Sequence, residues 1–175
     1  MSKIALLVTG GVAAYKSAAV VSGLAKQGHE TQVVLTETAL QFVGAATFAA
    51  LSKRAPVTGM FDSRFPLGPH IELARWADLL VVAPATANWL GKAANGLADD
   101  LASTLYLAYP GTVLVAPAMN AEMWNHVAVR RNIAQLTADG VKWVGPDEGW
   151  QACRTTGEGR MSEPDAILKA IGALL

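Results

Sequence analysis

The sequence is poor in charged residues and in cysteine. Only 16% of its 175 residues are charged, Lys+Arg and Asp+Glu both number 14, and Cys153 is the only cysteine. A balanced charge gives no positive field that would attract nucleic acid or an anionic membrane surface. A single cysteine cannot form an internal disulfide, which fits a reducing compartment. We therefore expect a cytoplasmic protein that binds neither nucleic acid nor membrane.

Long apolar runs are also missing, although hydrophobic residues make up 52% of the chain. No uninterrupted run approaches the ~20 residues that a transmembrane helix needs. The short apolar run near the N-terminus lacks the small-residue cleavage site of a signal peptide. Residues 1–175 are predicted to form one well-packed domain. The low charge further suggests that other subunits cover part of its surface.

Apolar runs of the β type alternate with helical patterns along the chain. Strands are predicted at 4–9, 31–36, 79–84 and 112–117, and helices at 12–27, 38–52, 86–108 and 119–139. A weaker strand at 141–146, a short edge strand at 56–61 and a last helix after Pro164, capped by Ser162, complete the pattern. Continuous Val/Leu/Ile runs are typical of strands buried on both faces of a parallel sheet. The sequence therefore predicts an α/β fold, a doubly wound parallel sheet sandwiched by helices, of the Rossmann-like or flavodoxin-like type.

The segment GGVAAYKS, residues 10–17, follows the first strand and differs from a P-loop at one position. Tyr15 stands where the G-x-x-x-x-G-K-[ST] pattern has its second glycine, and its Cβ resists the backbone conformation that curls around phosphates. The neighbouring apolar strands end in Ala-Pro-Ala and supply no Walker-B Asp. The pattern argues against an ATPase or kinase. It leaves either a plain glycine turn or one whose N–H groups and helix N-terminus hold an anion.

Ligands of doubly wound folds bind outside the carboxyl ends of the strands, and two further strand ends carry small residues and amides. These are APATANWLGK at 83–92 and APAMNAEMW at 116–124. Either segment alone could simply cap the next helix. Together with GGVAAYK they predict a site for a flat ring system with a phosphate tail.

His70 and the polar segment 147–164 are the remaining candidates for a functional role. His70 follows the turn-rich stretch DSRFPLGP and opens a helical segment, so we do not expect it to fill the core. The segment DEGWQACRTTGEGRMSEP carries Cys153 beside Arg154. An eighteen-residue stretch of this composition is predicted to be a long loop without secondary structure, which usually acts as a lid or binding loop.

The segments GGVAAYK, HIELARWADLLVVAPATAN, PAMNAEMW and QACRTTGEGRM resemble, in this order, the motifs of the homo-oligomeric flavin-containing cysteine decarboxylases. The resemblance covers roughly residues 3–170. It implies a carboxy-lyase that binds FMN between the subunits of a homotrimer, which can assemble further into a homododecamer. The coenzyme A branch of the family matches best. That branch implies FMN-dependent decarboxylation of 4′-phosphopantothenoylcysteine, a phosphorylated cysteine conjugate, to 4′-phosphopantetheine, with no metal site.

The resemblance also assigns roles to residues of the matching motifs. It implies that His70 and Cys153 are catalytic, with Cys153 donating a proton from a substrate-binding flap at about 147–164. Asn120 is implied to hold the substrate carboxylate. The further substrate-binding candidates are Met123, Ala152, Arg154, Arg160 and Met161. The FMN-binding candidates are Gly10, Gly11, Val12, Thr36, Thr38, Phe42, Pro84, Ala85, Thr86, Ala87, Asn88 and Met119.

Arg154 is the one departure from the motif of the coenzyme A enzymes, which usually have glycine after the flap cysteine. An arginine is not expected to replace that glycine if the position needs a positive φ, which opens the question of the substrate. One alternative is a peptidyl-cysteine oxidative decarboxylase of peptide natural-product biosynthesis, against which Cys153 argues. A flavin prenyltransferase fits the paired PAMN and ACxxxGxGRM motifs poorly.

A non-catalytic regulatory flavoprotein is the third alternative, and the joint presence of His70, Asn120 and Cys153 argues against it. Many bacterial decarboxylases of this family are fused to a cysteine-ligating synthetase. Because the sequence ends at Leu175, we expect a stand-alone form.

Overall fold

The computed structural model describes all 175 residues, and its centre is a five-stranded parallel sheet. The strand order is β2-β1-β3-β4-β5, and each neighbouring pair is parallel. The strands are β1 (Lys3–Val8), β2 (Glu30–Leu35), β3 (Leu79–Ala85), β4 (Val113–Pro117) and β5 (Lys142–Trp143). The predicted doubly wound α/β fold is confirmed.

Helices cover both faces of this sheet, and none of them is long and apolar enough to cross a membrane. They are α1 (Ala14–Lys26), α2 (Ala45–Ser52), α3 (Pro69–Trp76), α4 (Ala87–Ala94), α5 (Leu101–Ala108), α6 (Ala121–Asn125), α7 (Val127–Ala138) and α8 (Pro164–Leu174). Alternate strand residues point into two separate cores. Ala5 and Leu7 of β1 pack with α3, α4, α5 and α7, whereas Ile4 and Leu6 pack with α1, α2 and α8. Burial on both faces explains why the strands are continuous apolar runs.

Three of the predicted helices are divided in the structure. The pattern at 38–52 forms a 3₁₀ turn and then α2. The pattern at 86–108 forms α4 and α5, because Gly96 takes a φ of +66° and Asp100 starts a new helix by accepting a hydrogen bond from the Ser103 amide at 2.8 Å. The pattern at 119–139 breaks at His126, whose extended backbone separates α6 from α7.

Two smaller predictions about the fold are wrong. Ser162 does not cap α8, because its hydroxyl donates to Asp147 at 2.8 Å and the helix starts after Glu163 without a side-chain cap. The edge strand predicted at 56–61 is reduced to one bridge between Val57 and Val34.

The segment at 147–164 is not a loop without secondary structure. It forms an antiparallel hairpin of β6 (Asp147–Trp150) and β7 (Thr156–Arg160), which is separate from the main sheet. Residues 151–155 connect the two strands. The prediction failed because the segment is polar and rich in glycine, so it lacks the alternating apolar pattern by which strands are recognised.

Lys16, which stands where a P-loop has its phosphate-binding lysine, is part of the fold. It is 6% exposed, and its ammonium donates to the Met161 carbonyl and to the Glu163 carboxylate, both at 3.0 Å. The neighbouring Ser17 donates to the Ala83 carbonyl at 2.6 Å. Both side chains therefore join α1 to the rest of the domain, in agreement with the argument against a P-loop.

The ion pair between Lys16 and Glu163 predicts a pH dependence of stability. The hydrogen bond from Lys16 is the main cause that holds the pKa of Glu163 below its usual value. A lowered pKa in the folded state adds stability that is complete above the unfolded-state pKa of about 4.3 and is lost as the pH falls through the lowered value. We expect the difference in unfolding free energy between the wild type and Glu163→Gln to shrink from neutral pH to about pH 3. Urea denaturation across that range measures it.

Glu148→Gln is the matched control, since Glu148 is exposed and forms no ion pair. A Glu163→Gln difference that stays constant down to the lowest pH would contradict the prediction.

Candidate active site

The Thr9 hydroxyl joins the carboxyl ends of β1 and β3. Thr9 is 2% exposed, and its Oγ1 donates to the Pro84 carbonyl at 2.7 Å and accepts from the Thr86 amide at 3.0 Å. Gly11 lies beside Thr86, since a Cβ on Gly11 would be 3.5 Å from Thr86 Cγ2. These contacts bring the GGVAAYK turn (residues 10–16) against the PATAN turn (residues 84–88), as the sequence predicted.

Gly10 lies directly against the segment that follows β2. A Cβ on Gly10 would be 2.3 Å from Thr38 Cγ2 and 2.8 Å from the Thr38 carbonyl carbon, so a larger residue does not fit without a backbone shift. Thr36 shapes this segment, because its hydroxyl accepts from the Ala39 amide at 3.2 Å. The candidates Gly10, Thr36 and Thr38 are therefore neighbours in the structure.

Four successive amides precede α1 without an internal partner. The N–H groups of Gly10, Gly11, Val12 and Ala13 donate to no backbone carbonyl. They lie at the positive end of α1, and N–H groups in this setting are suited to an anion. This feature fits the phosphate of FMN, the cofactor implied by the resemblance.

Exposed apolar side chains surround the same edge of the sheet. Val12 is 54% exposed and Phe42 is 49% exposed, and Tyr15 is also exposed. Thr86 caps α4 by accepting from the Trp89 amide at 3.4 Å, which leaves Ala87 half-buried and Asn88 exposed at the start of that helix.

Pro84 and Ala85 are both buried in β3. They contribute through the backbone: the Ala85 carbonyl accepts from the Ala118 amide at 3.0 Å, which joins the ends of β3 and β4. The assignment of these two residues to FMN binding stays a prediction.

Asn120 caps the short helix α6, directly after β4. Its Oδ1 accepts from the Met123 amide at 2.9 Å, whereas its Nδ2 donates to no group of the protein. An asparagine held in this way presents two free N–H donors, which suit a carboxylate. Met123 is exposed, and Met119 is half-buried beside the cap.

The hairpin β6–β7 packs on the PAMN turn (residues 117–120) by close backbone contact. The Met119 amide donates to the Gly159 carbonyl at 2.9 Å. A Cβ on Gly159, whose φ is +125°, would be 2.5 Å from the Met119 carbonyl oxygen, and a Cβ on Gly157 would be 2.7 Å from the Ala121 Cβ. The two glycines of GEG are thus required for this approach.

Gln151 joins the hairpin to the start of α6 by hydrogen bonds, and the sequence analysis did not identify it. It is 7% exposed, its Nε2 donates to the Glu158 carbonyl at 3.1 Å, and its Oε1 accepts from the Ala121 amide at 3.2 Å. Longer contacts from Nε2 reach the carbonyls of Gly157 and Met119. Nothing in the sequence marks a glutamine in a polar segment as buried, so no available signal would have identified it.

Ala152, Cys153 and Arg154 lie in the exposed connection between the two strands. Cys153 Sγ is 3.0 Å from Thr155 Oγ1 and 3.6 Å from Gln151 Oε1. Arg154 has a φ of +66°. The expectation that arginine does not adopt the glycine-like conformation here is therefore wrong: it does so, at a cost of about 1 kcal/mol.

Two substrate-binding candidates make structural contacts within this chain. Met161 is 1% exposed and packs in the core with α1 and α8, and its assignment to the substrate stays a prediction. Arg160 forms an ion pair with Glu163, and its guanidinium lies against Gly149 of the opposite strand. It thereby stabilises the hairpin.

His70 is the second residue of α3, and its imidazole is only partly satisfied. It is half-buried, and its Nδ1 is buried without a hydrogen-bond partner. Gly68, at a φ of +91°, makes room for the ring, since a Cβ there would be 3.2 Å from His70 Cε1. No hydrogen bond joins His70 to Asn120 or Cys153, so one chain does not assemble all the predicted catalytic groups through direct contact.

Two cavities of the chain lie away from these strand ends. One of about 300 Å³ is lined by Gln32, Arg54, Arg64 and Trp76 among others. Another, of about 540 Å³, lies at the opposite edge of the sheet, where β4 and β5 begin. Neither contains a predicted site residue.

Comparison with known proteins gives consistent results. The family model described as Flavoprotein matches residues 1–175. The coenzyme A biosynthesis bifunctional protein CoaBC of Bacillus subtilis is 47% identical over 167 residues, 95% of this chain and 41% of that protein. The CoaBC protein of Haemophilus influenzae is 41% identical over 165 residues, 94% of this chain and again 41% of that protein. The chain thus spans less than half the length of these relatives.

Two solved structures are similar over nearly their whole length. A cysteine-to-serine mutant of PPC decarboxylase, complexed with pantothenoylaminoethenethiol, superimposes with a TM-score of 0.87 at 30% identity, covering 98% of this chain and 97% of that chain. The FMN-dependent cysteine decarboxylase SpaF gives a TM-score of 0.85 at 34% identity, with 99% and 97% covered.

The docked hairpin predicts the effect of replacing Gln151. Methionine has a similar volume but no hydrogen-bonding group, so Gln151→Met leaves the Ala121 amide and the Glu158 carbonyl without their partner. We expect hairpin docking to be weakened by about 2–3 kcal/mol, since buried polar groups lose their hydrogen bonds. Limited proteolysis with mass analysis of the fragments should show faster cleavage within 147–160.

Glu148→Met, an exposed change on the same hairpin, is the control and should be cleaved like the wild type. Equal cleavage rates for Gln151→Met and the wild type would show that Gln151 does not fasten the hairpin.

Proposed function

This chain belongs to the Flavoprotein family, and we propose that it is an FMN-dependent decarboxylase that converts 4′-phosphopantothenoylcysteine to 4′-phosphopantetheine in coenzyme A biosynthesis. The observation that carries the proposal is the meeting of four segments at one edge of the sheet: the glycine turn, the PATAN turn, the PAMN turn and the hairpin with Cys153. Relatives named for coenzyme A biosynthesis support the choice of substrate.

The proposed FMN site follows from the strand ends. The free amides of residues 10–13 bind the phosphate, and Thr36 and Thr38 lie beside the ribityl chain. Phe42, Thr86, Ala87, Asn88 and Met119 lie along the ring system. When bound, FMN supplies a reversible oxidation of the substrate's carbon–sulfur unit, which gives the electrons released with CO2 an acceptor.

Asn120 is proposed to hold the carboxylate that leaves as CO2. Its Nδ2 is the free donor of a side chain whose other end is fixed by the cap of α6, so the group is oriented before the substrate arrives. A neutral amide binds a carboxylate without a counter-charge that would oppose its loss. Met123, exposed on the same short helix, is proposed to contact the substrate beside it.

His70 and Cys153 are proposed to move protons. Imidazole is the side chain best suited to proton transfer near neutral pH, and the buried Nδ1 of His70 has no partner within the chain. Cys153 lies on the hairpin, next to Ala152 and Arg154, and its thiol is proposed to protonate the carbon that has lost CO2. The segment 147–164, which contains the hairpin, then acts as a substrate-binding flap that closes on the PAMN turn and excludes water.

The alternatives are not favoured. Arg154 adopts a positive φ, which is a conformation that glycine also allows, so arginine at this position does not by itself argue against the coenzyme A substrate. The presence of a thiol on the flap argues against a purely oxidative peptidyl-cysteine decarboxylase. His70, Asn120 and Cys153 together argue against a regulatory protein without activity.

We also propose that the protein forms a homotrimer, which can assemble further into a homododecamer. Its proposed location is the cytoplasm. The exposed apolar side chains of Val12, Tyr15 and Phe42 surround the FMN site and suit a neighbouring subunit. The unpartnered His70 Nδ1 is a second group that a neighbour or ligand would satisfy.

The activity is tested by mass spectrometry of the product formed from 4′-phosphopantothenoylcysteine. The wild type should bind FMN and give a product that has lost CO2 alone. Cys153→Ser should give a product that has lost CO2 and two hydrogens, because the enethiol is no longer protonated at carbon. Thr156→Ser, on the same hairpin, should behave as the wild type.

His70→Asn and Asn120→Asp should keep FMN but release no CO2, the second because two carboxylates would face each other. A wild-type protein that cannot be loaded with FMN, or that leaves the substrate intact, would refute the proposed function. Unchanged turnover by one variant would refute only the role of that residue.

The proposed assembly is tested by light scattering of the FMN-loaded protein at micromolar concentration. A closed oligomer with a number of subunits divisible by three is expected. Phe42→Glu, which adds charge to the exposed apolar surface, should shift the protein towards monomers, whereas Leu107→Glu, an exposed residue of α5, should not. A wild-type monomer that retains FMN would contradict the trimer.

A further inference from the structure

The thiol of Cys153 lies between two side chains that differ in hydrogen-bonding capacity. Gln151 Oε1, at 3.6 Å, can only accept, and it is fixed because it also accepts from the Ala121 amide while Nε2 is bound to the Glu158 carbonyl. Thr155 Oγ1, at 3.0 Å, belongs to a hydroxyl that can either donate or accept. The sulfur therefore has a fixed acceptor on one side and a rotatable donor on the other.

The turn around Arg154 creates this arrangement. The Gln151 amide donates to the Thr155 carbonyl at 2.8 Å, and the Arg154 amide donates to the Gln151 carbonyl at 2.9 Å. The positive φ of Arg154 closes the turn. As a result, the side chains of Cys153 and Thr155 face each other across Arg154.

We propose that Thr155 is a positioning residue for Cys153, which donates its hydroxyl hydrogen to Sγ and stabilises the thiolate that remains after the thiol has given up its proton. The inference rests on the proposed function, in which Cys153 is the proton donor. Gln151 completes the arrangement, since its amide oxygen accepts the S–H and fixes the direction of that bond before the transfer.

The proton transfer itself is balanced between Cys153 and the enethiolate form of the intermediate. The S–H bond of Cys153 breaks and leaves its electron pair on that sulfur as a thiolate. The proton forms a C–H bond with the electron pair of the carbon–carbon double bond, while a lone pair of the substrate sulfur forms the C=S bond of a thioaldehyde. The thioaldehyde would then be reduced to the thiol with the two electrons that FMN took up in the oxidation. The Thr155 hydroxyl then donates to an anion, and such a hydrogen bond is roughly twice as strong as one between neutral groups. Thr155 thus favours the state that follows the transfer over the state that precedes it.

A structural role and the proposed role predict opposite changes in the reactivity of Cys153. Thr155 is exposed, so removing its hydroxyl uncovers no core. If the residue only kept the connection ordered, its replacement would loosen the connection and speed alkylation of the thiol. If it stabilises the thiolate, its replacement lowers the thiolate population and slows alkylation, because the thiolate is the nucleophile.

The experiment measures the rate of Cys153 alkylation by iodoacetamide in the FMN-loaded protein at neutral pH. Cys153 is the only cysteine, so the label reports on no other group. Thr155→Val, which keeps the shape and removes the hydroxyl, should react about three- to tenfold more slowly. Thr155→Ser should restore a rate close to that of the wild type. Thr156→Val is the matched control and should react at the wild-type rate.

The charged groups on the hairpin and on α6, which packs against β7, are retained in every variant. They are Asp147, Glu148, Arg154, Glu158, Arg160 and Glu122. A change in the alkylation rate of Cys153 therefore reports the loss of the Thr155 hydroxyl rather than a change in the surrounding charges.

A rate for Thr155→Val that equals or exceeds that of the wild type would overturn the proposal, as would a failure of serine to restore the rate. The measurement needs no substrate, so it is independent of the proposed reaction. Slower alkylation in a protein that does not decarboxylate 4′-phosphopantothenoylcysteine would refute the proposed function and leave the interaction of Thr155 with Cys153 intact.

Discussion

The buried hydroxyl of Thr9 is the interaction on which the site depends. It donates to the Pro84 carbonyl and accepts from the Thr86 amide, so one oxygen fixes the ends of two neighbouring strands relative to each other. The glycine turn that follows Thr9 is thereby placed against Thr38 on one side and Thr86 on the other, where there is no space for a Cβ on Gly10. Because the turn is held in this position, the N–H groups of residues 10–13 precede the first turn of α1 and donate to no backbone carbonyl.

A second layer of contacts adds the PAMN turn and the hairpin to this edge. The Ala118 amide donates to the Ala85 carbonyl, and the Met119 amide donates to the Gly159 carbonyl, so β3, the PAMN turn and the hairpin are connected in sequence by backbone hydrogen bonds. Lys16 of α1 adds a further connection, since its ammonium donates to the Met161 carbonyl and to the Glu163 carboxylate just before α8. The candidate substrate-binding and cofactor-binding segments thus belong to one connected backbone framework, although the glycine turn at Gly10 and the PAMN turn at 117–120 are more than 100 residues apart in the sequence.

The sheet and the strand-end segments could be predicted from the sequence because their signals are local. Buried parallel strands are continuous apolar runs, and the carboxyl ends of such strands meet at one edge. The hairpin at 147–160 could not be predicted, since its strands are stabilised by backbone pairing and by Gln151 rather than by an apolar face. The burial of Met161 could not be predicted either: its motif marks it as part of the flap, whereas its side chain packs in the core beside α1. The break at His126 was missed because apolar residues continue on both sides of it, whereas the break at Gly96 was missed although Gly96, Asp99 and Asp100 mark it.

The way in which the hairpin is attached has a thermodynamic consequence. Between residues 147 and 160 the only buried residues are Gln151 and Gly159, and neither contributes an apolar side chain. Undocking would therefore exchange hydrogen bonds with the protein for hydrogen bonds with water while exposing little apolar surface, and such a process has a small heat-capacity change. The enthalpy of undocking would then change little with temperature, which amide hydrogen exchange in β6 and β7 at several temperatures would register, while the two cores of the sheet unfold with a large heat-capacity change. The hairpin that is proposed to meet the substrate would in this sense open independently of the two cores that hold the fold together.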